Sequence, residues 1–220
     1  MTGLSTKLKQ VIKKAVIVLR DGGLVAYPTD TVYGLGASMN STFAVKRIFE
    51  VKERPLNMAL PLLVANRIQI EQLTRGVPPV AWLLIYNYLP GALTIVLQKS
   101  DAVPDIVTGG DKTVALRIPD HPVALALITE LGVPIVGTSA NLSGQPSVLT
   151  AGEVISQIGD KINMVVDGGL CPGGVESTVV DFTGSKPVIR RLGAISLEQL
   201  KSTCPDIQMA KEMKHATRNR

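Results

Sequence analysis

The sequence predicts an α/β fold, a twisted mixed β-sheet with helices packed on it. Three observations carry this. Short aliphatic runs that read as buried strands alternate with longer stretches of helical periodicity. The last strand-like runs, 177–181 and 188–191, follow each other with no helix between them, which a purely parallel sheet does not allow. Apolar residues make up 45% of the chain and aromatics only 4%, so the core is aliphatic. The 220 residues have room for one sizeable core. No repeat or linker divides them. Residues 1–204 read as a single domain and 205–220 as a basic, disordered tail.

Leu8, Val11, Ile12, Ala15, Val16 and Leu19 recur at helical spacing, which predicts an amphipathic helix over 5–20, stopped by Gly22-Gly23. Leu24 to Tyr27 reads as a short buried strand, and Pro28 ends it because proline has no N–H for a ladder. Thr29, Asp30 and Thr31 follow directly. Gly34 and Gly36 permit tight turns or the close approach of another group. Ser41 or Thr42 caps a helix with Phe43, Val45, Ile48, Phe49 and Val51 on one side, ended at Arg54-Pro55. Residues 59–65 read as a strand, and Pro61 points to an edge or a bulge. Asn66 caps a short helix, and Pro78-Pro79 opens another that contains Trp82, Leu83, Ile85 and Tyr86.

Leu93 to Leu97 and Thr113 to Ile118 are strand-like, joined by a polar, mobile loop with Pro104, Asp105 and Gly109-Gly110. A helix starts at Asp120 or His121 and stops at Gly132. Ile135-Val136 is a short buried strand, and 137–147 is a loop rich in Ser, Asn and Gly. Residues 150–158 read as helix and 164–166 as strand, and Ser196 caps a last helix through Leu200.

No apolar run is long enough to span a bilayer, and the first residues lack the apolar core of a signal peptide. Cys171 and Cys204 offer no metal spacing and at most one bridge. These observations point to the cytoplasm. The net charge of +5 is concentrated at the ends, with five basic and no acidic side chains in residues 1–20. Such an excess is more often solvated surface than a nucleic-acid footprint, and base-stacking aromatics are scarce. A non-catalytic protein that binds tRNA or double-stranded RNA through its basic ends is the alternative reading.

The loops carry the chemistry. Ligands of open α/β sheets collect just past strand ends, where Thr29, Asp30 and Thr31 stand. Lys52 and Arg54 flank a helix end, a place that suits phosphate contact and equally suits the helix dipole. Arg117 lies in the otherwise apolar strand Val114 to Ile118. It needs a partner: a ligand carboxylate, an internal ion pair or an edge position. Thr113 shares its side by strand alternation. Ser139, Asn141, Ser143 and Ser147 follow a buried strand. Their polar groups suit phosphate or ribose, or the loop's own turns. His121 reads as a helix cap. Cys171 reads as an incidental thiol in the Gly-rich loop 168–174, which has the hinges of a lid.

The run Tyr27-Pro28-Thr29-Asp30-Thr31-Val32-Tyr33-Gly34-Leu35-Gly36 closely resembles the signature of the YrdC family. Six more blocks follow in the family's order. They are Lys52 to Pro55, Pro90 to Thr94, Thr113 to Pro119 with His121-Pro122, Thr138 to Gly144, Val175 to Asp181, and Arg191 to Gly193. The resemblance runs from about Thr6 to about Leu200. It implies a YrdC-like sheet around a concave basic cleft. It also implies synthesis of L-threonylcarbamoyl-AMP from L-threonine, bicarbonate or CO2, and ATP, with release of pyrophosphate. The product would go to the machinery that transfers threonylcarbamoyl to the tRNA adenosine beside the anticodon.

Such a reaction has no obligatory covalent nucleophile, and no residue is assigned here as nucleophile or acid/base. A carbamate oxygen attacks the α-phosphate, and the site holds two anions in line with cations and N–H groups. Carried over position by position, the resemblance implies L-threonine contacts from Thr31, Arg117, the Gly137 backbone and Ser177. It implies ATP contacts from Lys52, Arg54, Thr113, Ser139, Ser147 and Arg191; Asn141 joins them on its chemistry. Mg²⁺ would arrive with ATP, with no protein metal cage and no organic cofactor. Two positions depart from the family pattern. Met58 stands near the place of a polar ATP contact, and Leu63 near that of a histidine that contacts threonine. The short, single-domain form of the family is expected.

Overall fold

Short-range chemistry decides where the helices begin. In the computed structural model, which describes residues 3–210, Ser5 caps α1 (Thr6–Arg20), Ser41 caps α2 (Thr42–Lys52) and Asn66 caps α3 (Arg67–Leu73). Prolines precede α4 (Pro79–Tyr88) and α5 (Asp105–Thr108). His121 caps α6 (Pro122–Leu131), Thr150 caps α7 (Ala151–Ile158) and Ser196 caps α8 (Leu197–Thr203). Each of these six side chains accepts a backbone N–H of the first turn, satisfying a donor that the helix itself cannot.

The described strands are β1 (Val25–Tyr27), β2 (Gly34–Ser38), β3 (Leu62–Leu63), β4 (Leu93–Gln98) and β5 (Thr113–Arg117), followed by β6 (Ile135–Ser139), β7 (Met164–Val165), β8 (Thr178–Asp181), β9 (Val188–Arg191) and β10 (Gln208–Met209). They form one mixed sheet in the order β10-β9-β8-β4-β5-β3-β6-β2-β1-β7. The parallel pairs are β1–β7, β3–β5, β4–β8 and β9–β10; the other neighbours are antiparallel. The mixed sheet expected from the sequence is therefore present.

Strand alternation sorts side chains between two faces. Leu93, Ile95, Leu97, Val114, Leu116 and Ile118 join the larger core with the buried residues of α2, α3, α4, α5, α7 and α8. On the opposite face, α1 and α6 bury a smaller core against Val25, Tyr27, Leu63 and Ile135. No residue of β4, β5 or β8 joins that second core. On those strands the second face carries Thr94, Arg117 and, just before β8, Ser177. Among the described residues, this half of the sheet has no helical cover, and its polar side chains are grouped there.

Several details differ from the sequence reading. Gly34 and Gly36 lie inside β2, where a Cβ on Gly36 would stand 2.8 Å from the Tyr27 ring. Close approach is thus the reason for glycine there. β3 is central, between β5 and β6, because Pro61 precedes the two residues that pair and removes no ladder donor. Gly137 to Ser139 extend β6 instead of opening a loop. The connection from β4 to β5 is anchored by buried Val103, Val107 and Thr108. Phe43 is exposed, while Ala44 and Lys52 turn inward. Part of the expected tail is structured: β10 pairs with β9, and Ile207 and Ala210 are buried. Residues 211–220 of that tail lie outside the described residues.

Candidate active site

A cleft of about 260 Å³ opens on the uncovered polar face. Its floor runs along one row of the sheet, from Arg117 on β5 through Thr94 on β4 to Ser177 before β8 and Arg191 at the end of β9. One wall is the β1–β2 connection, with Thr29, Thr31 and Val32. The other is formed by Arg54, Ala59, Pro61 and Leu63 together with Gly137, Thr138 and Ser139 of β6.

Arg117 is the best-fixed charge in the cleft. Its Nη2 bonds Asp30 Oδ1 at 2.7 Å, Nη1 bonds Thr31 Oγ1 at 2.9 Å, and Nε donates to the Gly91 carbonyl at 2.9 Å. Both the arginine and the aspartate are largely buried. The charge in an apolar strand thus has its internal partner, as burial requires. The loop that carries Asp30 is held in turn: Thr29 Oγ1 accepts from the Thr31 and Val32 amides, and Asp30 Oδ1 accepts from the Asp120 amide. Gly173 packs on this loop so closely that a Cβ would stand 3.0 Å from Thr31 Cα.

Arg191 is held differently. Its Nε and Nη2 donate to the Ser177 carbonyl at 3.1 and 3.0 Å, and Nη2 also reaches Ser177 Oγ at 3.2 Å. Nη1 pairs with Glu176 Oε2. Glu176 Oε1 accepts from Ser147 Oγ at 3.1 Å, so one carboxylate ties β9 to the loop after β6. Ser177 Oγ and Thr94 Oγ1 share a hydrogen bond of 2.8 Å.

Lys52 and Arg54 point in different directions because Glu53 between them adopts the left-handed conformation, φ 51°. The Arg54 amide then bonds the Phe49 carbonyl, closing the end of α2. Lys52 turns inward and is fully buried. Its Nζ donates to the Ser139 carbonyl at 2.7 Å, to the Asn141 carbonyl, and to Asn141 Oδ1 at 3.1 Å. Burial, then the nearby Arg54 charge, push this amine down to about 8, while the Glu176 charge opposes the shift. Arg54 faces the cleft and reaches Ser143 Oγ at 3.0 Å and Thr138 Oγ1 at 3.4 Å.

Seven of the eleven residues singled out from the sequence line the cleft together: Thr31, Arg54, Arg117, Gly137, Ser139, Ser177 and Arg191. Ser147 stands at the rim through Glu176. Lys52 and Asn141 lie behind the wall, bonded to each other. Thr113 shares the face of Arg117 but sits four residues away along β5, paired with Gln98. Leu63 lines the cleft and packs on Gly137, giving that stretch of wall an apolar surface. Met58 is exposed outside the lining.

The sequence reading gives Asp30 a place past the strand end but no partner, and it assigns no role to Thr94 or Glu176, although all three stand in the quoted blocks. Cys171 is buried, and burial pushes its thiol up, which keeps it protonated. The loop around it is tied down: Tyr33 Oη donates to the Gly169 carbonyl at 2.9 Å, and the Cys171 and Gly174 amides bond the Leu149 and Thr31 carbonyls. These ties pack it against the β1–β2 connection, outside the cleft lining, where the sequence suggested a lid. His121 is the expected cap, its Nδ1 accepting from the Val123 amide at 3.3 Å. Among the described residues no group of three or more His, Cys, Asp or Glu side chains is arranged to hold a metal ion.

The Sua5_yciO_yrdC family model, described as telomere recombination, matches residues 17–193. The chain belongs to this family. Among its members, the threonylcarbamoyl-AMP synthase of Bacillus subtilis is 46% identical over 209 residues, covering 94% of this chain and 60% of the relative. A putative threonylcarbamoyl-AMP synthase of Mycobacterium tuberculosis is 38% identical over 189 residues, covering 86% of this chain and 87% of its own length. The crystal structure of Pyrococcus abyssi Sua5 complexed with L-threonine matches with a TM-score of 0.89 at 44% identity, covering 92% of this chain and 59% of that one. The chain therefore spans about three fifths of the Bacillus and Pyrococcus proteins. The Sua5/YciO/YrdC fold expected from the sequence motifs is the fold observed.

Proposed function

We propose that this chain makes L-threonylcarbamoyl-AMP from L-threonine, bicarbonate or CO2, and ATP, and releases pyrophosphate. The observation that carries this reading is the floor of the cleft. It holds a preset guanidinium, Arg117, beside the hydroxyls of Thr31, Thr94 and Ser177, and a second guanidinium, Arg191, at the far side. The first group suits an amino-acid carboxylate with a hydroxylated side chain. Arg54 and Arg191 suit the triphosphate, and Ser139 and Ser147 offer hydroxyls beside it.

Lys52 acts through Asn141 and Ser139, whose positions it fixes. Thr113 lies four residues farther along β5, outside the cleft lining. Magnesium would come bound to the phosphates and keep its waters. We place the protein in the cytoplasm, where ATP, bicarbonate and tRNA are found. Among the described residues no helix is long and apolar enough to cross a membrane. The product would pass to enzymes that transfer the threonylcarbamoyl group to tRNA.

The test is pyrophosphate release by the purified chain with ATP, L-threonine and bicarbonate, with L-serine replacing threonine as control. Threonine-dependent release supports the reading; no release above the ATP-only rate refutes it.

A further inference from the structure

Glu176 is the only acid among the described residues that line the cleft. It stands where a nucleotide's negative charge is expected. One oxygen pairs with Arg191 Nη1 and the other accepts from Ser147 Oγ at 3.1 Å. These partners are two of the groups assigned to ATP above. With Glu176 in place, Arg191 has every nitrogen turned to Glu176 or Ser177. A phosphate arriving at either group must replace the carboxylate or lie beside it, like charge against like charge.

The pair is built for exchange. Arg191 and Glu176 side chains are 47% and 38% exposed, so water can take over the carboxylate once it is released. The Ser177 carbonyl keeps hold of Arg191 through Nε and Nη2, so the guanidinium stays in place when Nη1 becomes free.

We infer that Glu176 is a specificity-determining residue of the nucleotide subsite, an internal anion that occupies Arg191 and Ser147 until a polyphosphate displaces it. This inference rests on the proposed synthase reading. A compact monoanion offers too few contacts to win the exchange, whereas a polyphosphate that also meets Arg54 does. After the adenylyl group passes to the carbamate oxygen and the α–β phosphoanhydride bond breaks, the returning carboxylate competes with pyrophosphate and helps it leave.

The test is calorimetric titration of the full chain and its Glu176→Gln variant with ATP, inorganic pyrophosphate and L-threonine. Glutamine keeps the size and an acceptor for Ser147 but removes the charge. Expected is about five- to tenfold tighter binding of both pyrophosphate and ATP, with L-threonine affinity unchanged. Pyrophosphate should also become a stronger product inhibitor. Glu176→Ala, checked by thermal melting, should shift pyrophosphate affinity in the same direction. Unchanged or weaker ATP and pyrophosphate binding in a folded variant overturns the inference while leaving the synthase reading intact. If the wild-type chain binds neither ATP nor threonine, both fall together.

Discussion

Arg117 and Arg191 stand at opposite ends of one cleft floor and are built in opposite ways. Arg117 and Asp30 are 9% and 14% exposed; Asp30, Thr31 and Gly91 fix the guanidinium through three of its five N–H groups and leave two for an arriving carboxylate. Arg191 and Glu176 are 47% and 38% exposed and can trade their bond for water. A buried pair that loses one member leaves a stranded charge, whereas a half-exposed pair does not. The first arrangement suits a small carboxylate that must be held in fixed geometry. The second suits a polyphosphate that must enter and leave. One sheet thus carries a rigid subsite and an exchangeable one along the same row.

Substituting each arginine in turn breaks this comparison most sharply. Arg117→Ala strands Asp30, and urea denaturation should show a loss of about 3–5 kcal/mol. Threonine-dependent pyrophosphate release should fall at least about a hundredfold. Arg191→Ala should lower stability by less than about 1 kcal/mol. Equal losses of stability in the two variants would remove the distinction.

Ser177 touches both sides. Ser177→Ala leaves buried Thr94 without its hydroxyl partner and Arg191 Nη2 with the Ser177 carbonyl alone. A loss of about 1–2 kcal/mol is expected, with KM for threonine raised about tenfold and KM for ATP changed less. A larger effect on ATP would assign Ser177 to the other substrate.

Lys52 sharpens the comparison through pH. Below about pH 8 its ammonium supplies three donors to Ser139 and Asn141; above it one donor and the charge are lost. Turnover should therefore hold below about pH 8 and decline above it. Stability should move the other way. An unfolded lysine keeps its proton to about pH 10.4, so between about 8 and 10.4 the unfolded chain binds more protons, and this group's contribution rises with pH. If turnover and melting temperature fall together near pH 8, Lys52 is not the titrating group.

The smallest effect belongs to His121, behind the Asp30 side. Burial holds its imidazole below the ordinary value, against the charges of Asp30 and Asp120. The neutral ring caps α6, so its stabilisation is complete above about pH 6.5 and is lost as pH falls through the lowered folded value. His121→Ala should cost about 1 kcal/mol at pH 7.5 and reduce the acid sensitivity of melting.

What the sequence made legible was local or was carried by several blocks at once. Ser41, Asn66 and Ser196 are found as the caps the sequence predicts, because a cap is settled within one helical turn. The cleft residues from Thr31 to Arg191 follow from seven motifs in order. Strand neighbours do not follow, because pairing joins distant segments: Pro61 suggests an edge, yet β3 lies mid-sheet. Alternation puts Thr113 on the face of Arg117 but says nothing about its distance along the strand. Spacing two apart does not reveal that Glu53 reverses the chain and sends Lys52 inward. Asp30 was within reach, since a charge in an apolar strand demands a carboxylate and one stands beside Thr31. Glu176 gave no such signal, because its partners lie on exposed segments with no unmet demand.

The Arg117–Asp30 contact joins positions 87 apart in sequence. Closing so long a loop carries an entropic penalty that local helices do not bear. The cleft therefore requires the central strands to be in register. Binding then acts as a report on completed folding. A ligand at a hundred times its Kd would add about 2.7 kcal/mol to the cooperative unfolding free energy, while partly folded chains gain nothing from it.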